Sequence, residues 1–331
     1  MPSRDYIQRL ADDRYEGEVR NAVEAALEQI ASGVTLEAIA DAIESGDEEA
    51  VVRLISDQIP DAFAQVRTAE LAAMGAAGAA TMDVVPPVER NGQRIAIKFE
   101  PGDQRAVRAV DTIHTEMIRE ISEETRGAIR DELRTQLDRG ENPRTAARRI
   151  KRTVGLTRHQ ADVARRAQAR VFSGDPDEMR KYLSMKLRDK RFDRTVIKAI
   201  NEGTTVPADK AEKMAAAYRR KSVQRRAETI ARDQSLAALD QGQDEAFEQA
   251  KDEGVVREED IMESWITAQD ARVRDVHQAV PTMNSGGVRR GQMFETELGP
   301  LLKPRDRGSP GSVPANVIQC RCTRFMRVRE Q

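Results

Sequence analysis

The chain has 331 residues, with 54 Lys+Arg against 56 Asp+Glu, 39% apolar and only 4% aromatic residues. A third of it is charged, but apolar residues recur in helical stripes that offset the entropy of ordering, which excludes a disordered chain. No run reaches about 18 apolar residues and the start, MPSRDYIQRLADDRYEGEV, has no apolar core, so neither a membrane span nor an export signal is expected.

The length gives a prior of about two domains. Residues 5–58 read as two or three short helices, with Leu10, Val19, Val23, Ala26, Leu27 and Ile30 at helical spacing. Gly33 ends that element, Thr35 caps the next and Gly46 ends it. Residues 71–90 shift to Gly and Ala and then to Pro86-Pro87, which predicts a flexible or bent connection. Asn91-Gly92 marks a turn between Val84–Val88 and Ile95–Phe99, hence a short hairpin. Asp103–Arg139 has no Pro and one Gly, and reads as a long amphipathic helix closed by Gly140. Further helices are predicted from Pro143 to about Val154, from Arg158 to Phe172 behind a Thr157 cap, and from Pro176 to about Ile200. The last, Ala208–Gln241, lacks Gly and Pro and would span about 50 Å.

Residues 265–331 differ, with Gly, Pro, Ser and Asn clustering around short apolar pieces and the only Trp. The fold class expected is mainly α: an elongated helical body with a small loop-rich α+β module at the C-terminus. The partition expected is an N-terminal helical segment (1–70), a linker with a hairpin (71–102), a helical body (103–262) and the module (263–331).

Charge is segregated along the chain. Residues 1–60 carry a net of −9, residues 143–232 a net of +15, residues 237–264 a net of −8 and residues 265–331 a net of +5. A block at +15 attracts phosphate or an acidic protein surface, and Arg148, Arg149, Lys151, Arg165, Arg166, Arg219, Arg220, Lys221 and Arg225 are its candidate contacts. The aromatic interleaving of single-strand binders is missing from that block.

Chemistry is harder to find. There is no phosphate-cradling Gly loop, no His-Glu-x-x-His and no Gly-x-Ser-x-Gly. His114 and His159 read as helix residues. Asp270–Ala279 reads as one short helix that would put Asp270, Arg274 and His277 on a face. With Cys320 and Cys322 they could form a constellation, but a His, a Cys-x-Cys and a weak Asp fall short of the four ligands of structural zinc, so no metal and no cofactor is expected. A thiol nucleophile with His277 as base lacks an evident orienting group.

Three stretches together resemble the phage Mu F-like minor head proteins, the phage head morphogenesis family. The first joins Gly155, Thr157 and Gln160 to Arg191, Phe192 and Asp193. The second joins Tyr218 to Arg226, Glu228 and Arg232. The third runs from Trp265 through Asp270, Arg272, Arg274 and His277 to Phe294, Gly299, Pro304, Asp306, Asn316, Cys320, Arg321 and Cys322. The likeness covers roughly residues 94–323. Relatives carry Thr-Glu where this chain has Asp233-Gln234, and many carry a Cys pair where Ala271–Val276 has none, leaving Cys320 and Cys322 as free thiols.

The resemblance implies a structural virion component without enzymatic activity, several copies of which sit inside the head near the portal vertex. Assembly would occur in the host cytoplasm, and the protein would assist head assembly and DNA packaging or ejection. Its partners would be the portal and the capsid or scaffold proteins, with packaged double-stranded DNA as a further candidate and no membrane. The acidic block over 1–60 would then face protein. The alternative is a nucleic-acid-directed enzyme or toxin using Asp270, His277, Cys320 and Cys322. A scaffolding coiled coil through 208–241 ranks lower, because Arg219-Arg220-Lys221 interrupts the apolar seam.

Overall fold

A computed structural model describes residues 5–90 and 93–329. In chain order the helices are α1 (Tyr6–Leu10), α2 (Glu16–Gly33), α3 (Leu36–Glu44), α4 (Glu48–Ser56), α5 (Ile59–Ala62) and α6 (Ala64–Met82). A hairpin, β1 (Val88–Arg90) and β2 (Gln93–Ile95), follows. Then come α7 (Gln104–Arg139), α8 (Pro143–Thr153), α9 (Arg158–Phe172), α10 (Pro176–Ser184), α11 (Asp193–Glu202) and α12 (Ala208–Asp252). The C-terminal part holds β3 (Ile261–Ile266), α13 (Asp275–Gln278), α14 (Val280–Met283), β4 (Val288–Arg289), α15 (Pro314–Val317) and β5 (Thr323–Val328). The protein is mainly α, with one small antiparallel sheet of order β4-β3-β5 near the C-terminus.

Two compact units form. One is drawn from Met1–Ala22, Gln65–Glu116 and Thr229–Gln331, the other from Val23–Ala64 and Met117–Glu228. The boundaries fall inside α2, α7 and α12 and after the first residue of α6, and residues 103–262 are divided between the two units.

The caps predicted at Thr35 and Thr157 form, and Asn142 adds one that the sequence reading did not name. Thr35 Oγ1 accepts from the Ala38 N–H, Asn142 from Arg144, and Thr157 with Gln160 closes a reciprocal capping box at the start of α9. Gly140 and Gly155 end helices at φ 58° and 82°, where a side chain would be strained.

Two expectations fail for identifiable reasons. The helix expected from Pro176 to Ile200 is split, because Asp189 captures the Arg191 N–H and guanidinium while Arg188 grips Asp193. Those local bonds compete with the helical ladder and open a turn between α10 and α11. The Gly/Ala stretch over 71–82 belongs to helix α6 and is no flexible connection. Its small face lets α12 approach: a Cβ on Gly242 would collide with the Met74 carbonyl, and one on Gly78 with the Phe99 ring. Ala, Leu and Met favour the helix, and the cost of Gly75 and Gly78 is offset by close packing in a core with Met74, Ala77, Leu239, Ala246 and Phe247. The same contact carries α12 through Gly242 to Asp252, beyond the predicted end at Gln241. The hairpin forms with Val88 opposite Ile95, and its turn, Asn91-Gly92, lies outside the described residues.

Gly242→Val is therefore expected to cost about 1–3 kcal/mol or more through overpacking. Gly17→Ala, in open space on α2, is expected to stabilise by up to about 1 kcal/mol. Urea unfolding of the two variants beside the parent checks both signs.

Candidate functional site

The C-terminal module brings its polar side chains together from five separate pieces of chain. Strand β3 alternates, with Ile261, Glu263 and Trp265 on its buried face. After β3, Asp270 accepts from the Arg272 N–H (2.9 Å), from the Arg272 side chain and from Arg321. This carboxylate-held turn replaces the first half of the helix expected over Asp270–Ala279, and α13 starts only at Asp275. Asp270 is thereby turned to arginines and separated from the cluster that contains His277.

That cluster is closely packed. The Trp265 ring meets those of His277 and Phe294 edge-on, each with centroids 5.5 Å apart. His277 Nδ1 lies 3.5 Å from Cys320 Sγ and 3.7 Å from Cys322 Sγ. His277 Nε2 is 2.8 Å from Asn316 Oδ1. The Asn316 amide nitrogen donates to Thr296 Oγ1 (3.0 Å) and to the Gly311 carbonyl (2.9 Å). A carbonyl can only accept, so the orientation of the Asn316 amide is set and its Oδ1 must accept from His277. The Nε2 proton is therefore fixed, and in the neutral ring the Nδ1 lone pair faces the two sulfurs. Gln319, just before Cys320, sits at φ 55°, a conformation costly for a residue with a side chain.

The sulfurs are unequal. Hydrogen bonding from Cys322 holds the Cys320 thiol well below the ordinary range, against burial, and His277 and Arg305 act in the same direction. Cys322 is pushed up by Cys320 and by burial, with Trp265 acting the other way. Burial lowers His277, but its contact with Cys320 outweighs this and raises it. Cys, His and Asn in this order is also the arrangement of a thiol nucleophile, its base and an orienting amide. Here His277, Cys320 and Cys322 are each 1% exposed and Asn316 is fully buried. The neighbouring cleft is walled by Trp265, Thr267, Gln269, Asn284 and Arg327, and none of the four triad-like groups lines it.

The remaining predicted residues act on backbone and charge. Arg274 donates to the Ile318 carbonyl, Asp306 holds Ser309 and the Gly308 N–H, and Arg321 reaches Asp12 at 3.7 Å. In the other unit, Phe192 and Tyr218 pack in the core of α9–α12, and Arg226 is buried against Glu124. Glu228 pairs with Arg225, and Arg232 with Glu16. Of the nine candidate phosphate contacts, seven are engaged within the protein. Arg149 binds Glu132 and Glu141, Arg165 binds Glu132 and Asp162, Arg166 binds Asp162, and Arg225 binds Glu228. Lys151, Arg219 and Lys221 donate to backbone carbonyls. Arg148 and Arg220 are exposed, Arg220 on the rim of a cavity of about 630 Å³ that Arg149, Arg152, Arg165 and Arg219 also line.

Sequence reasoning missed a second cluster. Arg324 on β5 is 4% exposed and meets Glu263 (3.1 Å), Asp244 and Asp240. Arg305 meets Asp240 at 2.6 Å, and Arg290 meets Asp244 and Glu248. The available signal was Asp240 and Asp244 at i, i+4 on α12, one helix face inside an acidic block that read as solvated.

Comparison with family models, with curated proteins and with solved structures produced no match.

Two outcomes are expected. Burial alone would raise Asp244, but Arg324, Lys303 and Arg290 outweigh it and hold the carboxyl below its ordinary range. A carboxyl lowered on folding adds stability above about pH 4 and loses it as pH falls through the folded value. Glu263, raised by burial, works in the opposite sense, and because Asp189, Glu248 and Asp270 are lowered too, the Asp244 share is read only by comparing Asp244→Asn with the parent. Asp244→Asn should cost about 3–5 kcal/mol at neutral pH and flatten the fall in stability toward pH 3, read by urea unfolding at both values. Secondly, a water-soluble disulfide reagent should leave both thiols of the folded chain unlabelled and modify both after denaturation, since neither sulfur reaches solvent.

Proposed function

We propose that this chain is a structural minor head protein of a tailed phage, working at the portal vertex by holding on to neighbouring proteins and not by turnover. One observation carries the reading. Trp265, His277, Phe294, Asn316, Cys320 and Cys322, residues of the motif that resembles the phage head morphogenesis family, pack into a single closed core. A catalytic motif leaves its reactive atoms reachable. These residues instead determine the shape of a module, as the structural reading requires.

The rest of the motif supports the same role. Thr157 and Gln160 cap a helix, Arg226 and Arg232 bind carboxylates of other helices, and Asp270 and Arg321 close a turn. The rival enzyme or toxin needs Asp270 beside His277 and the thiols, whereas Asp270 is held by Arg272 and Arg321. Docking to protein is favoured over contact with packaged DNA, because seven of the nine candidate phosphate contacts already bond within the chain, four of them to carboxylates. Among the described residues no helix is long and apolar enough to cross a membrane.

The test uses heads purified from the phage that encodes the chain, with the full-length protein mixed separately with its portal ring. The reading expects the protein inside heads at far fewer copies than the shell subunit, and co-sedimentation with the portal that Trp265→Ala abolishes. Heads that contain none of it, together with a hydrolytic activity abolished by His277→Ala, would contradict the reading.

A further inference from the structure

We infer that His277, Cys320 and Cys322 bind one thiophilic divalent cation, zinc in the first place, through the imidazole Nδ1 and two thiolate sulfurs. The three ligand atoms lie within 4.8 Å of one another, and all three residues are buried. Bonds of about 2.0–2.1 Å to nitrogen and 2.3 Å to sulfur, at a tetrahedral angle, separate N from S by about 3.6 Å. The distances found, 3.5 and 3.7 Å, bracket that value.

Three further features fit the ion. Asn316 takes the Nε2 proton and so leaves Nδ1 as the donor atom, the outer-shell device that orients metal-binding histidines. The Trp265 indole N–H is buried without a hydrogen-bond partner. A thiolate at Cys322 would satisfy that orphaned donor. Finally, a dication with two thiolates and a neutral ring sums to zero charge, which suits a dry site, whereas a monovalent ion would leave a net negative charge.

Among the described residues no fourth His, Cys, Asp or Glu joins the cluster, so the protein supplies three of the four ligands of a tetrahedron. The site takes zinc with both thiols deprotonated and the ring neutral, so binding releases whatever protons these groups carry. Asp270, the weak fourth ligand of the sequence reading, is not part of the set. The site does not depend on the head-protein reading, and each stands or falls by its own experiment.

The experiment is metal analysis of the full chain, reduced and purified from zinc-supplemented medium, followed by replacement with cobalt(II). The expected result is close to one zinc per chain, a thiolate-to-cobalt charge-transfer band, and loss of both in Cys320→Ser and Cys322→Ser. Asn316→Ala, which removes a positioning residue, should weaken zinc 10–100-fold in competition with a chromogenic chelator. Should the cysteine variants fail to fold, the cobalt(II)-substituted parent decides, because a thiolate-to-cobalt charge-transfer band requires sulfur bound to the metal. A folded, reduced parent with no zinc and no cobalt band overturns the inference. So does zinc that survives both cysteine substitutions.

Discussion

The guanidinium of Arg324 is a full positive charge taken out of water, and the unit built from the two chain ends is arranged around neutralising it. Asp240 and Asp244 come from one face of α12, and Glu263 comes from the neighbouring strand. Gln243, on the same helix, donates to the Arg324 carbonyl and accepts from Tyr6, whose hydroxyl also meets Thr81 on α6. One buried cation thereby ties the first helix, α6, α12 and the last strand together. Such a cluster adds little net stability over an apolar core, but leaving it half-paired is costly, so it selects one arrangement of these elements.

The same constraint shapes the His277 core. Asn316 has three hydrogen-bonding positions in use, to Thr296, Gly311 and His277, and each comes from a different loop or helix. Once those bonds are made, the imidazole has no choice of tautomer, and its remaining nitrogen looks at two sulfurs. The strained φ at Gln319 is tolerated because it turns the chain so that both cysteines reach the ring. Site geometry thus follows from satisfying buried polar groups in a module short of apolar residues.

Much of the helical part was legible because its signals are local. Thr35, Asn142 and Thr157 sit at helix starts as capping chemistry demands, and Gly140 and Gly155 at helix ends. What escaped was decided by partners distant in sequence. Residues 71–82 read as a bent connection until α12 is laid against them at Gly242. Asp240 and Asp244 look like solvent-facing acids until Arg324, 80 and more positions later, is folded onto them. Asp270 and His277 share a face only on an ideal helix, and the arginines that hold Asp270 prevent that helix from starting. Conversely, the approach of His277 to Cys320 and Cys322 was visible as a constellation, although nothing in the spacing indicated that Asn316 would orient the ring.

The central claim is that the motif residues form a sealed core in which Asn316 fixes the His277 ring through its Nε2 proton. Nitrogen-15 and proton correlation spectra of the histidine rings in the full chain test it most directly. The account expects a His277 Nε2 proton that is hydrogen-bonded and exchanges slowly with water at neutral pH. A proton at that nitrogen exchanging freely with solvent, or a ring protonated only at Nδ1, would contradict it.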